Sequence, residues 1–236
     1  MIRSIWFYTF LVLVTVSTSI PLACWYVLGW LRLHGAQQRL GYWTSYNWAH
    51  SLVLASGVNV KIKGLEKIPQ GPVLIVSNHQ SNFDFAILLG CIEKPKGFVA
   101  KIELAGIPVV SPWMRNIGCV FMNRSDIRQS LKVMNEAAEI ISNGQSMVIF
   151  PEGTRSRGEN IADFKKGSLK LAAKAGVPIV PVTINGTYKV LEANKGLIRP
   201  LDVKVVISEP VIYANLLKED KDRINEIIRD IIVLNK

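Results

Sequence analysis

Charge is missing from the start of the chain: no charged residue lies between Arg3 and Arg32. A surface helix of a water-soluble domain needs a polar face, and this stretch has none. Cysteine is scarce, with Cys24, Cys91 and Cys119 far apart and no CxxC pair. That pattern excludes a disulfide framework and zinc-finger spacing, and it leaves reduced, buried thiols as the reading. There is no Gly-x-Ser-x-Gly elbow, no RNA-binding aromatic motif, no internal repeat and no low-complexity tract. A serine hydrolase elbow and a dedicated nucleic-acid module are therefore not expected. Acidic residues are also outnumbered, 18 against 28 basic ones, for a formal charge of +10. Such a chain is drawn to polyanions, and beside a long apolar segment the expected polyanion is a lipid surface.

What is present is enough chain, 236 residues with 49% hydrophobic, for one α/β domain and an N-terminal appendage. Ile5 to Trp30 can cross a hydrocarbon core about 30 Å thick at roughly 1.5 Å of helix rise per residue. Trp6, Tyr8, Trp25, Tyr26 and Trp30 lie toward its ends, where interfacial aromatics belong. Pro21 is expected to kink or divide the helix. A second stretch, Leu40 to Val58, is more polar and aromatic and suits a helix lying among headgroups. With Arg32 to Arg39 as a polar connection, a single span and a helical hairpin dipped into one leaflet are both open. No small-x-small cleavage site follows a short apolar core, so a removed signal peptide is not expected. Arg32, Arg39, Lys61 and Lys63 follow the segment against Arg3 before it. The positive-inside rule then puts the rest of the chain on the cytoplasmic face of the inner membrane. The expected organisation is 1–58 as membrane-anchoring helices and 59–236 as the catalytic domain.

From Asn59 onward strand and helix patterns alternate. Val73–Val76, Phe98–Ala100, Cys119–Met122, Met147–Phe150, Ile179–Ile184 and Val203–Ile207 read as strands. Phe83–Leu89, capped by Ser81 or Asn82, Ser125–Ser142 and Ser168–Ala175 read as helices. A further helix carries Ile224, Ile227, Ile228, Ile231 and Ile232. In the helix over 125–142, Ile127, Leu131, Met134, Ala138 and Ile141 mark the apolar stripe. The expected fold is α/β: a mixed, mostly parallel sheet flanked by helices, with functional groups in loops at strand ends.

Polar groups collect at those ends. Asn78-His79-Gln80-Ser81-Asn82-Phe83-Asp84 bridges a buried strand and a helix. Across that bend Asp84 can reach the His79 imidazole, fix its tautomer and stabilise its protonated form, leaving His79 as a general base. A helix cap and a dipole partner fit the same two residues taken alone. Phe150-Pro151-Glu152-Gly153-Thr154-Arg155 follows another buried strand. There Gly153 permits a tight turn, Arg155 offers a planar donor for phosphate, and Glu152 can orient Arg155 or bond an acceptor hydroxyl. Arg124 at a third strand end and Lys101 at a fourth add cations. His34 and His50 receive no role.

With these residues the chain resembles the PlsC-type glycerolipid acyltransferases, the lysophosphatidic acid acyltransferase family. Asn78, His79 and Asp84 match its N-H-x-x-x-x-D motif. Gly118, Phe121 and Arg124 match its second motif, Phe150 through Arg155 its F-P-E-G-T-R motif, and Val177–Val182 its apolar fourth. The order and spacing agree from about residue 60 to 210. The resemblance implies transfer of a fatty acyl group from acyl-CoA or acyl-carrier protein to the sn-2 hydroxyl of lysophosphatidic acid. It implies a His79–Asp84 dyad, with Arg124, Glu152, Gly153, Thr154 and Arg155 holding the acceptor and Lys101 as a further phosphate candidate. Since a thioester is already activated, no metal or other cofactor is expected, and the partners are membrane lipids, the acceptor and the acyl donor. Backbone N–H groups near Ser81 and Asn82 are the expected oxyanion donors. Another lysophospholipid or aminolipid acceptor, or an inactive anionic-lipid binder, are the alternatives.

Overall fold

The computed structural model describes residues 1–236. Helices α1 (Ile2–Ser17) and α2 (Ser19–Trp30) form one apolar rod, long and apolar enough to cross a membrane, with little of it covered by protein. The rod is interrupted at Thr18 rather than at Pro21 itself. Proline has no N–H, and its ring crowds the carbonyl four residues back, here Ser17, so the disruption falls just ahead of it.

Leu31–Leu33 turn the chain into α3 (His34–Ser56). The helix runs back along the rod, with Gln37 Nε2 donating to Trp25 O and Trp48 Nε1 to Thr15 Oγ1. Two expectations change here. Most of the polar connection Arg32–Arg39 is already helix. The second half of α3 does not lie free of the domain but packs one face on α4 (Phe83–Cys91), burying Ala49, Leu52, Val53 and Ala55. The backbones approach so closely that a Cβ on Gly90 would lie 2.4 Å from the His50 nitrogen. Small residues permit that approach, and the scattered aromatics of α3 hid it in the sequence. Tyr46 stacks on His50, whose Nδ1 lies 2.8 Å from Gly90 O, giving that histidine a place in the α3–α4 contact.

The remaining elements alternate, with one strand and three helices beyond those read from the sequence. Strands are β1 (Asn59–Lys63), β2 (Leu74–Ser77), β3 (Lys96–Lys101), β4 (Val120–Met122), β5 (Ser146–Ile149), β6 (Ile179–Asn185) and β7 (Asp202–Ile207). After α4 the helices are α5 (Val110–Asn116), α6 (Ile127–Ser142), α7 (Lys170–Ala175), α8 (Thr187–Val190), α9 (Lys218–Asp222) and α10 (Ile224–Leu234). The strands form one sheet in the order β1-β7-β6-β2-β5-β3-β4, parallel throughout except between β6 and β7. Layers cover both faces, α3 and α4 on one and α6, α7 and α10 on the other. Central parallel strands are therefore apolar on both sides, which is why Leu74-Ile75-Val76 is an unbroken run.

Helix α6 starts at Ile127 rather than Ser125, capped by Asp126, whose carboxylate accepts from Gln129 N at 3.0 Å. The stripe of α6 overhangs the core: Ala138 and Ile141 are buried with Val133 and Ala137, while Ile127 and Leu131 in its first two turns are 78% and 63% exposed. What matters most for function is register. β2 and β5 pair in parallel, Leu74 with Met147 and Val76 with Ile149, so the segments following both strands emerge side by side.

Candidate active site

The bend after β2 is held by its own polar side chains. Asn78 extends the β2–β6 contact beyond the ladder, donating to Ile184 O at 2.9 Å and accepting from Ile184 N at 2.8 Å. Ser81 Oγ caps α4 by accepting from Phe83 N at 3.0 Å. Asp84, fully buried in the first turn of α4, gathers four donors. Its Oδ2 accepts from His79 Nδ1 at 2.8 Å, Gln80 N at 2.7 Å and Ser81 N at 2.9 Å, and its Oδ1 accepts from Thr187 Oγ1. A carboxylate bonded on so many sides is held immobile. The network assigns the His79 proton to Nδ1 and leaves Nε2 as the basic nitrogen. Phe150 stacks on the imidazole, with ring centroids 4.1 Å apart and planes 18° from parallel.

The segment after β5 is tied to this bend by Glu152. Its Oε1 accepts from His79 N at 2.6 Å and its Oε2 from Ala162 N at 2.9 Å. Burial pushes this carboxyl above the ordinary carboxylate range, and those two backbone N–H groups oppose the shift. Ser156 N closes the junction by donating to His79 O at 2.8 Å. Both oxygens of Glu152 thus meet main chain rather than Arg155, which pairs instead with Glu192 through Nη1 and Oε1 at 3.0 Å. Gly153 has φ +73°, and a Cβ there would meet Lys165 Cε at 2.6 Å. Only glycine takes this turn without strain, and the turn presents the Gly153 carbonyl to Arg124 Nη1. Burial lowers the pKa of Arg124, with Glu103 opposing.

A cavity of about 550 Å³ opens beside these groups. His79, Asn82, Lys101, Arg124, Arg155 and Arg157 form much of its polar lining. Phe85, Leu89, Phe98, Leu104, Met114 and Ile117 contribute apolar surface. Thr15 and Thr18 of the N-terminal rod and Trp48 of α3 line it too, so the cavity reaches the anchor. Thr154 is a lining residue, whereas Asp84, Glu152 and Gly153 stand behind the wall. Lys101 lies on the wall with a side chain 59% exposed and paired to Glu103 at 2.6 Å.

The structure therefore brings His79, Asp84, Arg124, Thr154 and Arg155 together, with Glu152 and Gly153 shaping the turn behind them. One expectation is corrected. The N–H groups of Ser81 and Asn82 are not free for an oxyanion, because they already donate to Asp84 Oδ2 and Glu192 Oε1. Four residues escaped the sequence reading. Thr187 and Gln80 meet at the α8 start, where Gln80 Oε1 accepts from Gly186 N at 2.9 Å. Glu192 comes from over a hundred residues beyond α4. No periodicity marks any of these three. Arg157, a cation two residues past the F-P-E-G-T-R run, is the one that proximity could have flagged.

A tautomer-fixed histidine beside a buried aspartate, in a cavity with a cationic wall and an apolar wall that meets a membrane-capable helix, defines an α/β enzyme for amphiphilic anions. A sequence profile described as Acyltransferase matches residues 59–185. A probable 1-acyl-sn-glycerol-3-phosphate acyltransferase of Mycoplasma pneumoniae is 36% identical over 188 residues, covering 74% of this chain and 70% of the relative. A chloroplastic 1-acyl-sn-glycerol-3-phosphate acyltransferase of Brassica napus is 39% identical over 153 residues, covering 64% of this chain. This chain spans only 44% of that plant protein's length. The crystal structure of PlsC, the 1-acyl-sn-glycerophosphate acyltransferase from Thermotoga maritima, superposes with a TM-score of 0.85 at 27% identity, covering 98% of this chain and 92% of the other. The chain belongs to the PlsC-type 1-acyl-sn-glycerol-3-phosphate acyltransferase family.

Proposed function

We propose that the protein transfers a fatty acyl group from a thioester donor, acyl-CoA or acyl-carrier protein, to the sn-2 hydroxyl of lysophosphatidic acid, yielding phosphatidic acid. The observation that carries this reading is the His79–Asp84 pair in a cavity that is cationic on one side and apolar on the other. His79 Nε2 removes the hydroxyl proton as that oxygen attacks the thioester carbonyl carbon. The tetrahedral adduct then collapses, the C–S bond breaks, and the proton passes from His79 to the thiolate. Asp84 holds the imidazole and stabilises its protonated form. Arg155, Arg124 and Arg157 hold the acceptor phosphate and so place the hydroxyl beside His79. Lys101 adds long-range attraction. Glu152 acts through the backbone, keeping the two segments in register, and Thr154 contributes a hydroxyl to the wall.

The apolar rod anchors the protein, and the cations after it favour the catalytic domain on the cytoplasmic side. That side also carries the anionic lipids a basic surface seeks. Purified full-length protein in detergent micelles, given acyl-CoA or acyl-carrier protein and a panel of acceptors, tests the proposal by thiol release and lipid mass spectrometry. Phosphatidic acid formed from lysophosphatidic acid, with lysophosphatidylcholine and glycerol 3-phosphate left unused, is the expected result. Equal use of lysophosphatidic acid and lysophosphatidylcholine would refute recognition of a free phosphate monoester, and equal use of glycerol 3-phosphate would refute a role for the apolar wall.

A further inference from the structure

Glu192 stands at a junction that the dyad and its phosphate-facing cations do not explain. Its side chain is only 9% exposed. Its Oε1 accepts from two parts of the site at once, Asn82 N at the α4 start and Arg155 Nη1, each at 3.0 Å. Its Oε2 is buried without a donor. A buried carboxylate with one oxygen unpaired is costly, so an ion retained there marks a requirement for charge at that point.

The segment carrying Glu192 is gripped from the other side by the membrane-capable helix. Tyr8 OH donates to Gly196 O at 2.6 Å, and Ile198 N donates to Ser4 Oγ at 3.0 Å. Ser4 and Phe7 are buried, and the Phe7 ring lies 6.5 Å from that of Phe83, next to Asp84. Residues 4, 7 and 8 share one face of α1 at helical spacing. One face of the anchor therefore touches both the helix that bears Asp84 and the segment that bears Glu192.

We infer that Glu192 is a positioning residue that aims Arg155 at the acceptor phosphate, and that the docked face of α1 holds Glu192 in place, so that seating of the anchor sets acceptor affinity. A guanidinium on a flexible stem is useful only when its fork is oriented, and a bonded carboxylate orients it. The same carboxylate fixes Asn82, so Arg155 and the dyad helix are referred to one point. This rests on the proposed transfer to lysophosphatidic acid.

The test separates acceptor from donor kinetics in full-length protein, in micelles, with lysophosphatidic acid and acyl-CoA varied in turn. In Glu192→Ala the acceptor KM should rise about tenfold or more, the size of a lost bond to a charged group, with the donor KM within about twofold. Glu192→Gln keeps an accepting oxygen for Asn82 and Arg155 and should fall between. Tyr8→Phe, which removes only the grip on Gly196, should raise the acceptor KM by a few fold, and adding it to Glu192→Ala should add nothing further. An unchanged or lowered acceptor KM in Glu192→Ala would overturn the inference, the lowered value meaning that Glu192 competes with phosphate. Equal rises in both KM values, or full additivity with Tyr8→Phe, would overturn it as well. If Glu192→Ala fails to fold, Glu192→Gln and Tyr8→Phe decide by the same split. Failure of the wild type to acylate lysophosphatidic acid would instead strike the proposed function.

Discussion

The two sides of the cavity are built differently. On the side of His79, the Asp84 carboxylate is surrounded by donors, Glu152 is bonded at both oxygens, and most of the bonds run to main chain of the segments after β2 and β5 or of β6. On the side of the cations, Lys101 and Arg155 each hold a single carboxylate, and Arg124 holds one carbonyl. Backbone-anchored groups lose little freedom when a reaction starts, which suits a base that must sit within hydrogen-bond reach of one proton. Lys101 and Arg124, long side chains with single partners, can rearrange around an incoming phosphate, while Glu192 keeps Arg155 aimed. The contrast separates a pre-formed reactive half from an adaptable binding half.

Substitutions sharpen that contrast, and the largest effect belongs on the rigid side. His79→Ala should lower kcat by roughly 10²- to 10⁴-fold with an unchanged thermal transition, as read by thiol release and circular dichroism. Next, Arg155→Ala should raise the KM for lysophosphatidic acid by about ten- to a hundredfold while the donor KM stays put. Glu152→Ala should cost about 1–3 kcal/mol in denaturant unfolding, because it takes a charged acceptor from the half-buried N–H groups of His79 and Ala162. A neutral result there would mean that the two segments do not need their strut. Thr187→Val removes one bond to Asp84 while leaving its other donors, so kcat should fall by about fivefold. Smallest of all, Lys101→Ala should change the acceptor KM by only a few fold, fading with salt, since an exposed ion pair is worth about 0–1 kcal/mol.

Legibility in the sequence follows the same division. The bends after β2 and β5 were readable because each is a local event, an apolar run ending in polar residues with turn chemistry. The sheet was readable for the same reason, since its central strands are short apolar runs between helical patterns. The pairing of those bends depends on β2 lying beside β5, and register is not written in either segment. Thr187, Gln80 and Glu192 stayed hidden because their partners are brought together by the sheet order rather than by spacing. The oxyanion assignment failed for a related reason: an N–H at a helix start looks free until its distant acceptor is known. The α3 contact was masked because close packing through Gly90 needs small residues rather than an apolar stripe.

The most direct measurement compares two acceptors, lysophosphatidic acid and monoacylglycerol, which differ only by the phosphate, in the wild type, His79→Ala and Arg155→Ala. A base acting on the hydroxyl and a guanidinium acting on the phosphate predict that His79→Ala slows turnover with both acceptors, whereas Arg155→Ala weakens kcat/KM for lysophosphatidic acid alone. Equal losses with both acceptors in Arg155→Ala, or full activity in His79→Ala, would contradict the division of labour.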